Sequence, residues 1–141
     1  MILAFLPGGR VVMSGVLIVD DERLIRLLLS RALKKEGINV IDADCGMDAL
    51  EKINKRRFDL VVLDLRLGDI SGIDILRDIK KRAPDTKVIV VTAYGSEDLL
   101  KEISQHGVEG FFEKPFDTFE VIGMIKQCLT LQRTENLRYS C

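Results

Sequence analysis

The sequence predicts an α/β fold built on a parallel sheet. Two observations carry that expectation: strand-sized apolar runs recur five times along the chain, and a segment with helical spacing of its apolar residues follows each run. The runs are VLIV at 16–19, INVIDA at 38–43, FDLVVL at 58–63, KVIVV at 87–91 and VEGFF at 108–112, all rich in β-branched or aromatic residues.

Between the first two runs lies ERLIRLLLSRALKKEG, in which Ile25, Leu28, Leu29 and Ala32 recur at three- and four-residue spacing. Gly37 stands where a helix C-terminal cap belongs. The second helix, near residues 47–56, is expected to turn Ala49, Leu50 and Ile53 inward. The third, near 73–82, turns in Ile75, Leu76 and Ile79 before Pro84 stops it. The fourth, SEDLLKEISQHG, opens on Ser96 as N-cap with acids in its first turn. It has only Leu99, Leu100 and Ile103 to bury and is expected to be the loosest. The fifth, near 117–131, directs Val121, Ile122, Ile125 and Leu129 at the sheet, with Met124, Cys128 and Leu131 partly elsewhere. The expected arrangement is one doubly wound (βα)5 domain with strand order 2-1-3-4-5.

The chain has 141 residues, 47% of them hydrophobic, which suits one domain with a substantial core. Charged residues make up 30% and cancel to a net charge of -1, so no basic field for nucleic acid is present. No apolar run approaches the roughly 20 residues of a membrane span, and MILAFLPGGRVV lacks the pattern of a signal peptide. Cys45, Cys128 and Cys141 are odd in number and lack CxxC spacing, which fits packing thiols in a reducing cytoplasm. Residues 1–14 are expected to be an N-terminal extension, with Met13 as an alternative start, and residues 1–12 are read as a tail. Residues 15–131 then form the domain, and 132–141 a C-terminal tail or the start of a linker helix.

In open parallel sheets the functional crevice lies beyond the carboxyl ends of the strands. The residues there are Asp20 and Asp21 after the first run, Asp64 after the third, Thr92 after the fourth, and Lys114-Pro115 after the fifth. Like charges about 5 Å apart at an effective dielectric near 20 repel by roughly 3 kcal/mol. Lys114 supplies one compensating charge, and a hard divalent cation with oxygen ligands supplies the rest; Mg²⁺ fits, since it keeps positions open for water and phosphate. One carboxylate in such a site can act as a nucleophile and form an aspartyl phosphate, and Asp64, alone on the central strand, is the candidate. Asp44-Cys45 follows the edge strand, away from the crevice, and His106 before Gly107 reads as a helix-terminus residue.

The set LIVDDE, LVVLDLRL, VIVVTAYG and GFFEKPF, in this order and spacing over residues 16–131, closely resembles the receiver domain of two-component response regulators, with its flavodoxin-like fold. The resemblance implies that Asp64 takes a phosphoryl group from a sensor histidine kinase or phosphotransfer protein. It implies that Asp21, Asp64 and the backbone carbonyl of Arg66 hold Mg²⁺, with Asp20 acting mainly through water. Thr92 and Lys114 would each engage a phosphoryl oxygen, the Lys114-Pro115 bond would be cis, and Phe111 would act as the aromatic that turns when Thr92 moves. The output surface would be helix 4, strand 5 and helix 5, open to an output domain or a second copy. Such a domain catalyses its own phosphorylation and dephosphorylation without turning over a separate substrate.

Two features depart from the family pattern or tune it. Gly68-Asp69 stands where a Pro-Gly pair is common, and Arg66 and Tyr94 occupy positions that modulate water access to the acyl phosphate. The competing reading is a phosphorylation-independent module of the same fold. A phosphatase is disfavoured because Arg66 stands where a general-acid carboxylate is wanted.

Overall fold

The computed structural model describes residues 3–6, 10–13, 15–93 and 95–139, and the side-chain surroundings of 15–93 and 95–130. Among the described residues, seven strands and five helices follow in chain order: β1 (Leu3–Leu6), β2 (Arg10–Met13), β3 (Gly15–Val19), α1 (Arg23–Lys35), β4 (Asn39–Ala43), α2 (Gly46–Lys55), β5 (Leu60–Asp64), α3 (Gly72–Arg82), β6 (Lys87–Thr92), α4 (Glu97–Gln105), β7 (Gly110–Glu113) and α5 (Thr118–Tyr139). Strands β3 to β7 are the five expected from the sequence. They pair in parallel in the order β4-β3-β5-β6-β7, which is 2-1-3-4-5 when counted along the five.

A parallel sheet covered by helices on both faces needs apolar side chains at every strand position, which is why the runs do not alternate. Alternate residues still part to opposite faces. Leu17, Val19, Val61, Leu63, Val88 and Val90 meet Ala49 of α2, Ile75, Leu76 and Ile79 of α3, and Ile103 of α4. Val16, Ile18, Leu60, Val62, Ile89 and Val91 meet Leu29 and Leu33 of α1 and Val121, Ile125 and Leu129 of α5.

Register places the chemistry. Val19 pairs with Leu63, so the residues that follow, Asp20 and Asp64, emerge side by side. Asp64 pairs with Val91, so Thr92 comes one step beyond it on the next strand. Thr92 pairs in turn with Glu113, which leaves Lys114 as the first residue past the sheet on β7.

The structure differs from the sequence reading in several places. Leu28 is 49% exposed, and Leu33, which the spacing argument omitted, is fully buried; the inward stripe of α1 runs through Leu29 and Leu33, leaving Leu24 and Leu27 exposed as well. Cys128, expected to point partly away from the sheet, is buried with the α5 core residues. Strand β7 begins at Gly110, because its pairing with β6 starts opposite Ile89, two residues later than the apolar run suggests. In the segment read as a tail, β1 and β2 form a two-stranded antiparallel ladder, Leu3 opposite Met13 and Leu6 opposite Arg10. The intervening Pro7-Gly8-Gly9 has turn composition, which the sequence reading did not use. Helix α5 continues through Tyr139, past the expected end near residue 131.

Other expectations hold. Ser96 caps α4, its Oγ accepting from the Leu99 amide at 3.1 Å; of the three residues expected to be buried there only Ile103 is, Leu99 being half-buried and Leu100 38% exposed. Gly37 follows α1 with φ of 76°, a left-handed conformation in which glycine carries no Cβ penalty. His106 is the C-cap of α4. Among the described residues no helix is long and apolar enough to cross a membrane.

The α1 assignment is open to direct measurement. Leu33→Ala is expected to lower unfolding free energy by about 3 kcal/mol, through lost burial and a residual cavity. Leu28→Ala is expected to cost under about 0.5 kcal/mol. Urea titration of the two variants reads the difference, and equal losses would restore Leu28 to the core.

Candidate phosphoryl-transfer site

At the carboxyl end of β3, β5 and β7, three carboxylates converge on one ammonium. Lys114 Nζ stands 2.9 Å from Asp20 Oδ2, 3.0 Å from Asp64 Oδ2 and 3.0 Å from Glu22 Oε1. Asp20 and Asp64 are buried, and the Lys114 side chain is only 10% exposed. Glu22 sits at the rim, and the sequence reading missed it: it adjoins the Asp20-Asp21 pair but continues into α1, where an acid reads as a helix-start residue. The backbone reinforces the arrangement, since the Lys114 amide donates to the Thr92 carbonyl at 2.8 Å and the Asp20 amide to the Ala43 carbonyl at 3.1 Å. The Lys114-Pro115 peptide bond is cis.

Each buried carboxylate is held at one oxygen by its own loop. Asp20 Oδ1 accepts from the Glu22 amide at 2.8 Å, and Asp64 Oδ1 accepts from the Arg66 amide at 3.0 Å. Asp20 Oδ2 is different: no backbone amide reaches this buried oxygen, and its partner at 2.9 Å is the Lys114 ammonium, which it shares with Asp64 and Glu22. Burial pushes the Asp20 carboxyl above the ordinary value, with the neighbouring Asp64 charge adding to the effect, against the Glu22 amide and Lys114, which stabilise the anion. At Lys114 burial works the other way, but contacts with Asp20, Asp64 and Glu22 outweigh it and hold the ammonium charged well above the usual lysine range.

Oxygens of Asp20, Asp21 and Asp64 all lie within 4.8 Å of one another. Asp21 is exposed, so it can offer an oxygen from the solvent side. One exposed carboxylate, Asp21, above two buried ones that share a single ammonium forms the donor set a hard, partly hydrated divalent cation takes. The residues fit Mg²⁺.

Thr92 is buried at the end of β6. Phe111, on β7, is half-buried, and its ring lies against Gly95 in the loop after β6: a Cβ at Gly95 would stand 2.8 Å from Phe111 Cζ. The loop that follows Thr92 and the expected switch aromatic are thus in contact. Tyr94 lies outside the described residues.

The β5–α3 loop, which carries Arg66, is closed at its base by an Arg66–Ser71 bridge and by the Gly72 amide donating to the Leu65 carbonyl at 3.1 Å. Its tip is tied by Asp69, whose Oδ1 and Oδ2 accept from the Gly46 and Met47 amides of α2 at 2.9 and 3.0 Å. The sequence reading noticed Gly68-Asp69 only as a departure from the usual Pro-Gly pair, and the far end of this contact is invisible without the fold.

A doubly wound sheet carrying carboxylates, a buried threonine and a lysine at its carboxyl end defines a phospho-accepting signal receiver. The chain belongs to the response regulator receiver domain family, whose model matches residues 16–126. It is similar to sporulation initiation phosphotransferase F of Bacillus subtilis, with 39% identity over 117 residues, covering 83% of this chain and 94% of that protein. It is also similar to the luminescence regulatory protein LuxO of Vibrio campbellii, with 40% identity over 97 residues, 69% of this chain and 21% of that protein. This chain therefore spans about a fifth of that regulator's length. Among solved structures, the signal receiver domain of a putative LuxO repressor protein from Vibrio parahaemolyticus superposes with a TM-score of 0.84 at 32% identity, covering 92% of this chain and all of that one. A CheY-like receiver domain protein from Methanospirillum hungatei gives 0.83 at 30% identity, covering 88% and 99%.

The Asp69 contact has a pH signature. Hydrogen bonds from the Met47 and Gly46 amides lower its carboxyl from 3.8 to about 2 in the folded chain. A carboxylate depressed on folding contributes stability that is present above its unfolded pKa and is lost as pH falls through the folded one. Wild type is expected to exceed Asp69→Asn in urea stability above about pH 4 and to converge with it as pH falls toward about 2. A gap that stays constant across this window would show that the Asp69 charge does not take part.

Proposed function

We propose that Asp64 is the phosphoacceptor of this receiver, working with Mg²⁺ and with Lys114. The observation that carries the proposal is the register-built convergence of Asp20, Asp64 and Lys114 at one strand end, with Asp21 within ligand distance above them. Asp21, Asp64 and the Arg66 carbonyl would hold the ion, and the buried Asp20 would act on it mainly through water. Bound there, Mg²⁺ supplies neutralisation of the carboxylates and of the incoming phosphoryl oxygens.

An Asp64 carboxylate oxygen attacks the phosphorus of a phosphohistidine. The P–N bond breaks, and its electron pair stays on the ring nitrogen, which takes up a proton. Lys114 shifts part of its interaction from carboxylate to phosphoryl oxygen, and the Thr92 hydroxyl donates to another phosphoryl oxygen. Drawing Thr92 inward pulls on the loop bearing Gly95, and Phe111, in contact with that loop, moves with it. The α4–β7–α5 surface then reports the change to an output domain or a second copy. It is suited to this because α4 is weakly anchored and Phe119 of α5 is 88% exposed.

The phosphodonor, a sensor histidine kinase or a phosphotransfer protein, must bring its phosphorus to Asp64, so its docking surface has to border the site. Leu28 of α1, half exposed, lines a cleft of about 340 Å³ together with Glu22, Lys114 and Pro115 among others, and with the exposed Leu24 and Leu27 of the same helix offers that surface. Residues 15–131 serve as the receiver domain, after an N-terminal extension of residues 1–14, with 132–141 a C-terminal tail or the start of a linker helix. A cytoplasmic location fits such a donor, and among the described residues Cys45 and Cys128 are free thiols.

Intact-mass measurement after incubation with Mg²⁺ and acetyl phosphate is expected to show one phosphoryl adduct, lost in Asp64→Asn. No adduct with any donor would favour a phosphorylation-independent module. In Mg²⁺ titrations Asp21→Asn is expected to weaken binding more than Asp20→Asn, and the reverse order would exchange their roles.

A further inference from the structure

Helix α2 begins without a cap of its own. Its N-cap residue, Cys45, makes no side-chain hydrogen bond to the first turn, although the opening amides of a helix need acceptors. The acceptors come from 23 residues away, in the tip of the β5–α3 loop, where the two Asp69 oxygens take the Gly46 and Met47 amides, one each. The contact is tight: a Cβ on Gly46 would stand 2.9 Å from Ile70 Cβ and 3.1 Å from Asp69 Oδ1, so a side chain there would drive the loop off the helix.

The loop itself is a short closed lasso. Its base is pinned by the Arg66–Ser71 bridge and by Gly72, where an added Cβ would fall 2.3 Å from Leu65 Cα. It turns at Gly68 with φ of 84°, a conformation most side chains resist. Base and tip are thus both fastened, on either side of Gly68. This bears on Arg66, because a backbone carbonyl has no rotamers and can be aimed only by fixing the backbone on either side of it.

We propose that Asp69 is a positioning residue for the metal: by holding the loop tip on the N-terminus of α2, it fixes the direction in which the Arg66 carbonyl faces the carboxylate cluster. The inference rests on the Mg²⁺ reading given under Proposed function. It gives the Gly68-Asp69 pair, which stands where a Pro-Gly pair is common, a fastening of its own, in which a charge-assisted contact to a helix terminus does the work of a stiff turn. It also makes the start of α2 part of the metal-binding unit, although no α2 side chain reaches the ion.

The test is ¹H–¹⁵N NMR of the full chain titrated with Mg²⁺, read for wild type, Asp69→Ala, Asp69→Asn and, as a control for stability alone, the α3 core variant Ile79→Val. In Asp69→Ala the Gly46 and Met47 amides are expected to exchange faster and the Mg²⁺ dissociation constant to rise about tenfold, the lower end of what losing an outer-shell partner costs. Asp69→Asn keeps one acceptor oxygen and is expected to fall between. Ile79→Val is expected to lose stability without change in Mg²⁺ affinity. Faster amide exchange with wild-type Mg²⁺ affinity would overturn the proposal, as would amides that stay protected in Asp69→Ala or an equal loss of affinity in Ile79→Val. Wild type that fails to bind Mg²⁺ would overturn the metal reading itself, before any variant is compared, and this assignment with it.

Discussion

The ammonium of Lys114 is the interaction on which the rest of the site depends. Three carboxylates from the ends of β3 and β5 and the start of α1 meet it at 2.9 to 3.0 Å, in a place nearly closed to solvent. Buried carboxylates without a cation would shed their charge, and the upward push on Asp20 shows the pressure that burial exerts even with Lys114 present. One ammonium does not neutralise four clustered carboxylates, and Asp20 Oδ2 has to share it with Asp64 and Glu22. That residual demand for positive charge is what a hydrated divalent cation, on the proposed reading, would meet, with a phosphoryl group then sharing it.

That meeting of charges is made by the sheet. Parallel strands in register deliver the residue after each apolar run to the same rim, and the order β4-β3-β5-β6-β7 puts the Asp64 strand between those of Asp20 and Thr92, with Lys114 one strand further. The two apolar layers are therefore part of the mechanism. They hold the strand ends rigidly enough for like charges to stay within a few ångströms. Movement is left to the periphery, where α4 is anchored by Ile103 and its Ser96 cap, and where Phe111 rests on the loop that follows Thr92.

The fold and the centre of the site were legible because both depend on local pattern: five runs with helices between them, and charged residues placed directly after the runs. What was not legible depends on groups brought together across the chain. The spacing of apolar residues in α1 offered Leu28 and Leu29 equally, and only the angle at which the helix meets the sheet buries Leu33 and leaves Leu28 half exposed. Glu22 looked like an ordinary helix-start acid until β7 brought Lys114 to it. Asp69 registered only as part of a departure from the usual Pro-Gly pair, because its partners are amides at the start of α2, and a backbone amide leaves no trace in a sequence. The hairpin of β1 and β2 was missed for another reason: apolar residues flanking Pro-Gly-Gly carry a turn signal that composition as a tail obscured.

The central claim is that Lys114 and a divalent cation share the work of compensating one set of carboxylates. The thermal unfolding midpoint, followed against Mg²⁺ concentration in wild type and Lys114→Met, tests it most directly, since a ligand bound only by the folded state raises the midpoint by mass action. The expected result is a variant that is less stable than wild type without Mg²⁺ and that gains more from its addition, because the ion is then the sole compensating cation in the cluster. A variant as stable as wild type in the absence of Mg²⁺, or midpoints in both proteins that ignore the ion, would contradict it.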